Sequence, residues 1–185
     1  MHRRELLHLL GAAALTPALA PLSAEQRLAL GRALHLRLGA PLRVLTPQQD
    51  ALVIRVAELI IPETDTPGAT SVQVDAFIDL LLAEWYDDGE RDRFLAGLAA
   101  IDVEASHEQG ALFVNCRPET QTALLTRWDT GNDDGASAAA AFHRLKDLTI
   151  YGYFTSERVM KEVTRPVIFH PAFEGCVPFT PGASR

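Results

Sequence analysis

The sequence predicts an all-α fold, a compact bundle of about five to six helices followed by an irregular, proline-rich C-terminal arm. Three observations support this prediction. Through most of the chain, apolar residues recur at the intervals that place them on one face of a helix. No stretch alternates apolar and polar residues as a half-buried strand does. Proline, which interrupts regular helix, crowds the end of the chain at Pro166, Pro171, Pro178 and Pro181.

The first two helices begin at capping boxes, in which the first side chain and the one three residues later bind each other's backbone N–H groups. Ser23 begins the first box, and leucines at helical spacing continue this helix to Leu38. Thr46 begins the second box, with Pro47 at the first helical position, where its missing N–H costs no hydrogen bond. The apolar stripe of the second helix ends at Pro62.

Four further helices follow at the same spacing. Thr70 begins the third helix, whose apolar stripe is predicted to be buried as far as Trp85. Residues 87–89 are predicted to break this helix before the fourth one starts. Pro118 begins the fifth helix, and the sixth is predicted over residues 138–150.

Size and charge limit the classes of protein to which the chain can belong. Residues 23–185 suffice for one domain with its own hydrophobic core, and no linker divides them. The formal net charge is −7, and no stripe of lysine and arginine is present. Because nucleic-acid binding needs clustered positive charge, we expect no nucleic-acid partner.

The N-terminus resembles an export signal. Arg3 and Arg4 precede an alanine-rich apolar stretch over residues 9–20, which is the order of regions in a secretory signal. Pro17 interrupts this stretch, which is shorter than the roughly 20 apolar residues that a spanning helix needs. The paired arginines indicate a twin-arginine signal over residues 1–22, which would carry a folded protein to the periplasm. The alternative is a buried N-terminal helix with two adjacent arginines by chance.

The two cysteines, Cys116 and Cys176, form a possible disulfide. In an oxidising compartment such a bond would tie the C-terminal arm to the helical body and stabilise the fold by about 4 kcal/mol. The alternative is a pair of separate, buried thiols. No Cys-x-x-Cys pair occurs, so the sequence predicts neither covalent haem attachment nor a zinc site in this chain.

Scattered carboxylates are the only candidates for acid–base chemistry. Asp75 and Asp79 lie four residues apart on one helix face, and Glu63 and Asp65 precede them. No neighbouring sequence indicates a desolvated pocket that would raise the pKa of one carboxyl group. We therefore interpret these residues as charges on helix surfaces and predict no catalytic residue.

Metal and cofactor motifs are missing from the sequence. None of the six histidines forms a pair with metal-ligand spacing. The polar loop over residues 129–135 is rich in Asp and Asn, as a calcium-binding loop is. Both end ligands of such a loop are missing in the required register. No glycine-rich nucleotide loop follows a predicted strand. The sequence predicts no metal or cofactor in this chain.

An aromatic segment follows the sixth predicted helix. Gly152 is expected to end that helix as a left-handed cap, with Tyr151, Tyr153 and Phe154 around it. These three rings either close the core of this chain or face another chain, since aromatic residues are enriched in the centres of interfaces. Both interpretations remain open from the sequence.

Taken together, these segments resemble the gluconate 2-dehydrogenase subunit 3 family, also called its small or gamma subunit. The resemblance covers roughly residues 45–180, and the ordered set of segments is more specific than any one of them. The matching pieces are Leu59-Ile60-Ile61-Pro62, Pro67-Gly68-Ala69, Val74-Asp75-Ala76-Phe77-Ile78-Asp79, the run from Leu148 to Glu157, and Gly175-Cys176-Val177-Pro178.

The resemblance implies an accessory role beside other chains. It implies a large FAD-containing sugar or polyol dehydrogenase of the glucose–methanol–choline type as the catalytic partner, and a multihaem cytochrome c, with its haem c, as electron acceptor. The small subunit would assist folding and assembly, and its signal would bring the complex to the twin-arginine translocase. The expected contact residues are Tyr151, Tyr153, Phe154, Phe169, Phe173 and Phe179.

Two other functions remain as alternatives. The first is a stand-alone periplasmic helical protein that binds a small ligand between its helices. The second is an independent enzyme that uses the carboxylates of Asp75 and Asp79. The sequence ranks the accessory subunit above both.

Overall fold

The computed structural model describes residues 19–38, 41–130 and 138–164, and within these ranges the chain forms helices and turns without a strand. The all-α prediction is confirmed, whereas the proline-rich arm lies outside the described residues. The helices are α1 (Ala24–His35), α2 (Pro47–Ile60), α3 (Val74–Glu84), α4 (Asp88–Gln109), α5 (Pro118–Thr130), α6 (Ala138–Thr155) and the single turn α7 (Glu157–Val159), with short 3-10 turns at Thr70–Val72 and Phe113–Asn115 and a π turn at Met160–Thr164.

The α6 helix is the centre of the bundle. It packs against each of α1 to α5. Twelve of its eighteen residues are buried, which is typical of a helix enclosed by others rather than of one lying on a surface. Its aromatic residues join the core on both sides, since Tyr151 meets Phe77 edge to face at 5.3 Å and Phe142 meets Trp128 at 6.4 Å.

The capping boxes predicted at Ser23 and Thr46 are both present. A third box was missed where residues 87–89 were predicted only to break a helix. The Asp87 carboxylate accepts the backbone N–H of Glu90 at 2.7 Å, and the Glu90 side chain binds back, so Asp87 starts α4 directly. The predicted break is therefore the cap of the following helix.

Gly152 does not end the sixth helix, and that prediction is wrong. The helix continues through Gly152 to Thr155. A Cβ atom at position 152 would lie 2.8 Å from Cδ1 of Phe77, closer than real side-chain contacts. Glycine is needed here for the close approach of an aromatic ring to the helix backbone, and not for a left-handed conformation.

The third helix also begins differently from the prediction. Thr70–Val72 forms a separate 3-10 turn, and α3 starts at Val74. Between them Gln73 has φ 56° and ψ 47°, a left-handed conformation that is uncommon outside glycine. Trp85 was predicted to be buried, but it caps the end of α3 and is 43% exposed.

The α1 helix is shorter than predicted. It ends at His35, and Leu36 to Leu38 form a turn that leaves Leu36 83% exposed.

Across the ranges that the structure describes, no helix combines the length and the apolar character needed to cross a bilayer.

Candidate functional site

A groove of about 880 Å³ opens between the end of α1, the Thr70–Val72 turn and the α7 region. Three segments that are far apart in sequence form its walls. Residues that define the groove include Arg32, His35, Leu36, Gln73, Arg158 and Lys161.

The wall formed by α1 is fixed tightly to α6. A Cβ atom at Gly31 would lie 2.5 Å from Cγ2 of Thr155, so the Thr155 side chain packs directly on the backbone of α1. The buried Tyr151 hydroxyl donates a hydrogen bond of 2.5 Å to the carbonyl oxygen of Arg27, and burial raises the pKa of this phenol. Both contacts hold α1 in one position against the core.

His35 lies where this wall meets the core. Its ring stacks on Phe77 with centroids 4.7 Å apart, and Nε2 lies 2.8 Å from the carbonyl oxygen of Gly152. Because a carbonyl oxygen can only accept, Nε2 carries a hydrogen atom and donates the hydrogen bond. Burial lowers the pKa of His35 and outweighs the opposite effect of the Gly152 hydrogen bond. A neutral imidazole therefore lines the groove at neutral pH.

The second wall is the turn that follows α2. The Tyr153 hydroxyl donates to the carbonyl oxygen of Pro67 at 2.7 Å, which anchors this turn to α6. Ser71 Oγ donates to the carbonyl oxygen of Gly68 at 2.8 Å, and the Ala69 N–H donates to the carbonyl oxygen of Ile61 at 2.9 Å. The turn thus has a defined shape beside the groove.

Glu58 stabilises the same turn, and the sequence did not reveal this role. Its carboxylate accepts hydrogen bonds from the backbone N–H of Glu63 at 3.0 Å and the hydroxyl of Thr70 at 2.7 Å. Burial acts to raise the pKa of Glu58, but these hydrogen bonds and Arg55 more than offset it and lower the pKa. The partners lie five and twelve residues away, so no local motif marks them.

Cationic side chains outnumber carboxylates in the groove lining although the chain is acidic. The lining holds three cationic side chains, Arg32, Arg158 and Lys161, and the single carboxylate of Glu157. Lys161 pairs with Glu157, and Arg158 lies 3.3 Å from Glu162. Within the described ranges Arg32 makes no ion pair, and its guanidinium lies 3.5 Å from Sδ of Met160.

The carboxylates considered for acid–base chemistry lie outside this groove. Asp79 is buried and accepts three backbone N–H groups, from Arg43 at 2.7 Å and from Val44 and Leu45 at 2.8 Å each. It therefore holds the segment before α2 in place, and the interpretation of Asp79 as a charge on a helix surface is wrong. Asp75 is half-buried, and Glu63 and Asp65 are exposed.

Asp50, which was not singled out from the sequence, lies near the same carboxylates. Burial raises its pKa, and the charges of Asp75 and Asp79 raise it further. One carboxylate oxygen of Asp50 is buried without a hydrogen-bond partner in the described part of the chain. In those same ranges, no group of three or more His, Cys, Asp or Glu residues is arranged to hold a metal ion.

The aromatic residues proposed for an interface occupy different positions. Tyr151 and Tyr153 are 0% and 4% exposed and belong to the core of this chain. Phe154 is half-buried and packs edge to face on Tyr153 at 5.2 Å. Of these three side chains, Phe154 thus has the most surface left for another chain.

The remaining predicted residues are only partly covered by the structure. Cys116 is half-buried, with Sγ 3.5 Å from the carbonyl oxygen of Leu112. Its proposed disulfide stays a prediction, because Cys176 lies outside the described residues. The same applies to Arg3, Arg4, Phe169, Phe173 and Phe179.

Comparison with known proteins identifies the family. A family model described as Gluconate 2-dehydrogenase subunit 3 matches residues 47–175, which is more than two thirds of the chain. No curated protein and no solved structure matches the chain. The matched range contains two of the three walls of the groove, the turn after α2 and the α6–α7 junction. The chain therefore belongs to the gluconate 2-dehydrogenase subunit 3 family.

Proposed function

We propose that this chain is the noncatalytic small subunit of a periplasmic, FAD-dependent sugar or polyol dehydrogenase complex. It assists folding, assembly and export of a catalytic subunit of the glucose–methanol–choline type. The observation that carries the proposal is the family match over residues 47–175, since the family is named for one subunit of a gluconate dehydrogenase. The use of Asp79 as a structural acceptor supports a noncatalytic role.

The redox groups belong to the partners in this proposal. FAD resides in the large subunit and oxidises the sugar, and haem c in a multihaem cytochrome accepts the electrons. This chain contributes a helical body with a fixed core around α6, on which another protein can assemble without reordering it.

Export is the second part of the proposal. Residues 1–22 direct the complex to the twin-arginine translocase, with Arg3 and Arg4 as the recognised pair. Because this pathway transports folded proteins, FAD enters the large subunit in the cytoplasm and one signal suffices for both chains. The complex then functions in the periplasm.

Co-expression with a flavoprotein dehydrogenase of the glucose–methanol–choline type tests assembly and export together. Wild type is expected to give periplasmic sugar oxidation and a flavoprotein that contains FAD. Replacing Arg3 and Arg4 by lysine should leave both subunits and the activity in the cytoplasm. The matched control replaces the exposed residues Arg93 and Arg117 by lysine and should leave export unchanged. Periplasmic activity that survives the Arg3 and Arg4 replacement would disprove the escort role.

Small-ligand binding by the isolated chain is the second candidate function. The groove of about 880 Å³ favours it, because pockets for small molecules are about 300–1,000 Å³. Gluconate and glucose at millimolar concentration are suitable probes in a thermal melt of the purified chain. A rise in melting temperature that is lost in Arg32→Glu would support ligand binding. An unchanged melting temperature with both sugars would favour the accessory subunit.

A further inference from the structure

We propose that the groove between α1, the Thr70–Val72 turn and α7 is where the catalytic subunit docks, and that it receives a segment carrying an apolar side chain next to a carboxylate that binds Arg32. This inference rests on the proposed function, and it adds the surface and the chemistry of the partner segment.

The apolar part of the argument begins with Leu36. It is 83% exposed, the largest exposure among the large hydrophobic side chains that the structure describes, and it lies in the groove. Leu38, Val72 and Met160 extend the apolar surface into the lining. Apolar side chains beside polar ones are typical of interface centres, where a side chain that becomes buried on binding is removed from water.

Charge defines the residue next to this apolar side chain in the partner segment. Of the three cations in the groove lining, Lys161 pairs with Glu157 and Arg158 with Glu162. Arg32 makes no ion pair in the described ranges, and its guanidinium can bind a carboxylate through two parallel hydrogen bonds. At Arg32 the groove is therefore complementary to an acidic residue and unfavourable for a basic one.

Two segments could fill this groove, residues 165–185 of this chain and a segment of the catalytic subunit, and their charges favour the second. The chain leaves the described residues after Thr164, near the groove, and residues 165–185 would be long enough to reach it. The side chains of that segment include two arginines and one glutamate, so its charge complements Arg32 poorly. An acidic segment of the catalytic subunit fits better.

The walls of the groove are also preorganised for binding. The contact between Gly31 and Thr155 fixes the α1 wall, and the Tyr153 hydrogen bond to Pro67 fixes the wall formed by the turn after α2. Little ordering entropy is then lost on docking, so a short partner segment can bind with useful affinity.

The test uses the full chain co-expressed with its flavoprotein subunit and isolated through a tag on this chain. The FAD recovered per chain is measured at several salt concentrations. Leu36→Asp and Arg32→Glu should each reduce the recovered FAD about tenfold, and the effect of Arg32→Glu should be largest at low salt. Val103→Asp and Arg93→Glu are matched controls on α4, since Val103 is 57% exposed and Arg93 is exposed. Both should bind like wild type.

Each contrary result has a distinct meaning. If wild type recovers no FAD, the proposed function itself fails. If wild type recovers FAD and the groove variants recover as much, only the docking site is wrong. A matching thermal melt of variant and wild type shows that a lost interaction is not a folding defect. If the groove variants and deletion of residues 165–185 lower the melting temperature of the isolated chain alike, the chain's own segment fills the groove and the inference is overturned.

Discussion

The hydroxyl group of Tyr153 donates a hydrogen bond to the carbonyl oxygen of Pro67 at 2.7 Å, and this contact joins the central helix α6 to the turn that forms one wall of the groove. Tyr153 is 4% exposed, so neither group has ready access to water. We expect Tyr153→Phe to lower the free energy of unfolding by about 1–2 kcal/mol, because it leaves a buried carbonyl oxygen unsatisfied. Urea denaturation measures the change, and an unchanged midpoint would mean that water replaces the hydroxyl.

A methyl group at position 152 should be poorly tolerated. Gly152→Ala would place Cβ 2.8 Å from the Phe77 ring, and we expect a loss of about 1–3 kcal/mol from the resulting strain. Gly89→Ala is the matched control, because its Cβ meets only Oδ1 of Asp87 at 3.4 Å. Alanine is the better helix former, so the control should gain up to about 1 kcal/mol. Equal stability of the two variants in thermal or urea unfolding would contradict the close packing.

Asp79→Asn should destabilise the fold strongly. The amide keeps only one oxygen acceptor for the three backbone N–H groups of residues 43–45. We expect a loss of about 2–4 kcal/mol, since hydrogen bonds to charged groups are the stronger ones. Asp75→Asn, on the same helix but half-buried, should change stability by less than about 1 kcal/mol.

Asp75→Asn also tests the alternative function, in which this chain is an independent enzyme. The isolated chain is expected to oxidise no sugar with an artificial electron acceptor. Turnover by the purified wild type that Asp75→Asn abolishes, without loss of folding, would establish an active site in this chain and refute the accessory role.

His35 should make the protein less stable in acid. Because burial lowers its pKa below the ordinary value of 6.5, the unfolded chain binds the proton more tightly than the folded one. The stability is therefore complete above about pH 6.5 and falls as the pH decreases through the lower folded pKa. His35→Gln can still donate to Gly152 but does not titrate, so its stability profile should be flatter in this range. His107→Gln, an exposed control, should keep the wild-type slope in urea titrations.

Asp147 should make the protein less stable as the pH rises, which is the opposite of the effect of His35. Burial raises its pKa from 3.8 to about 6, although His143 and Lys146 oppose the shift. The folded chain then binds the proton more tightly, and stability falls as the pH rises from about 4 to 6. Asp147→Asn should remove this fall and be the more stable protein at pH 7, whereas the exposed Asp92→Asn should not. An unchanged pH profile in Asp147→Asn would show that the carboxyl group remains hydrated.

The position of the groove could not be predicted from the sequence. His35, Gln73 and Lys161 are dispersed over more than a hundred residues, and each has an unremarkable sequence neighbourhood. The aromatic segment was predicted either to close the core or to face another chain. Its two possible roles could be separated only by burial, which places Tyr151 and Tyr153 inside this chain.

The sequence by itself determined the helical class and several of the helix starts. The caps at Ser23 and Thr46 depend on atoms three residues away, and the periodic apolar stripes identify the buried helix faces. Only the tertiary structure decided that Gly152 continues a helix against Phe77 and that Asp79 binds residues 43–45. The physical reason is range, because caps and periodicity are local, whereas ring packing and buried carboxylate contacts depend on segments that meet only after folding.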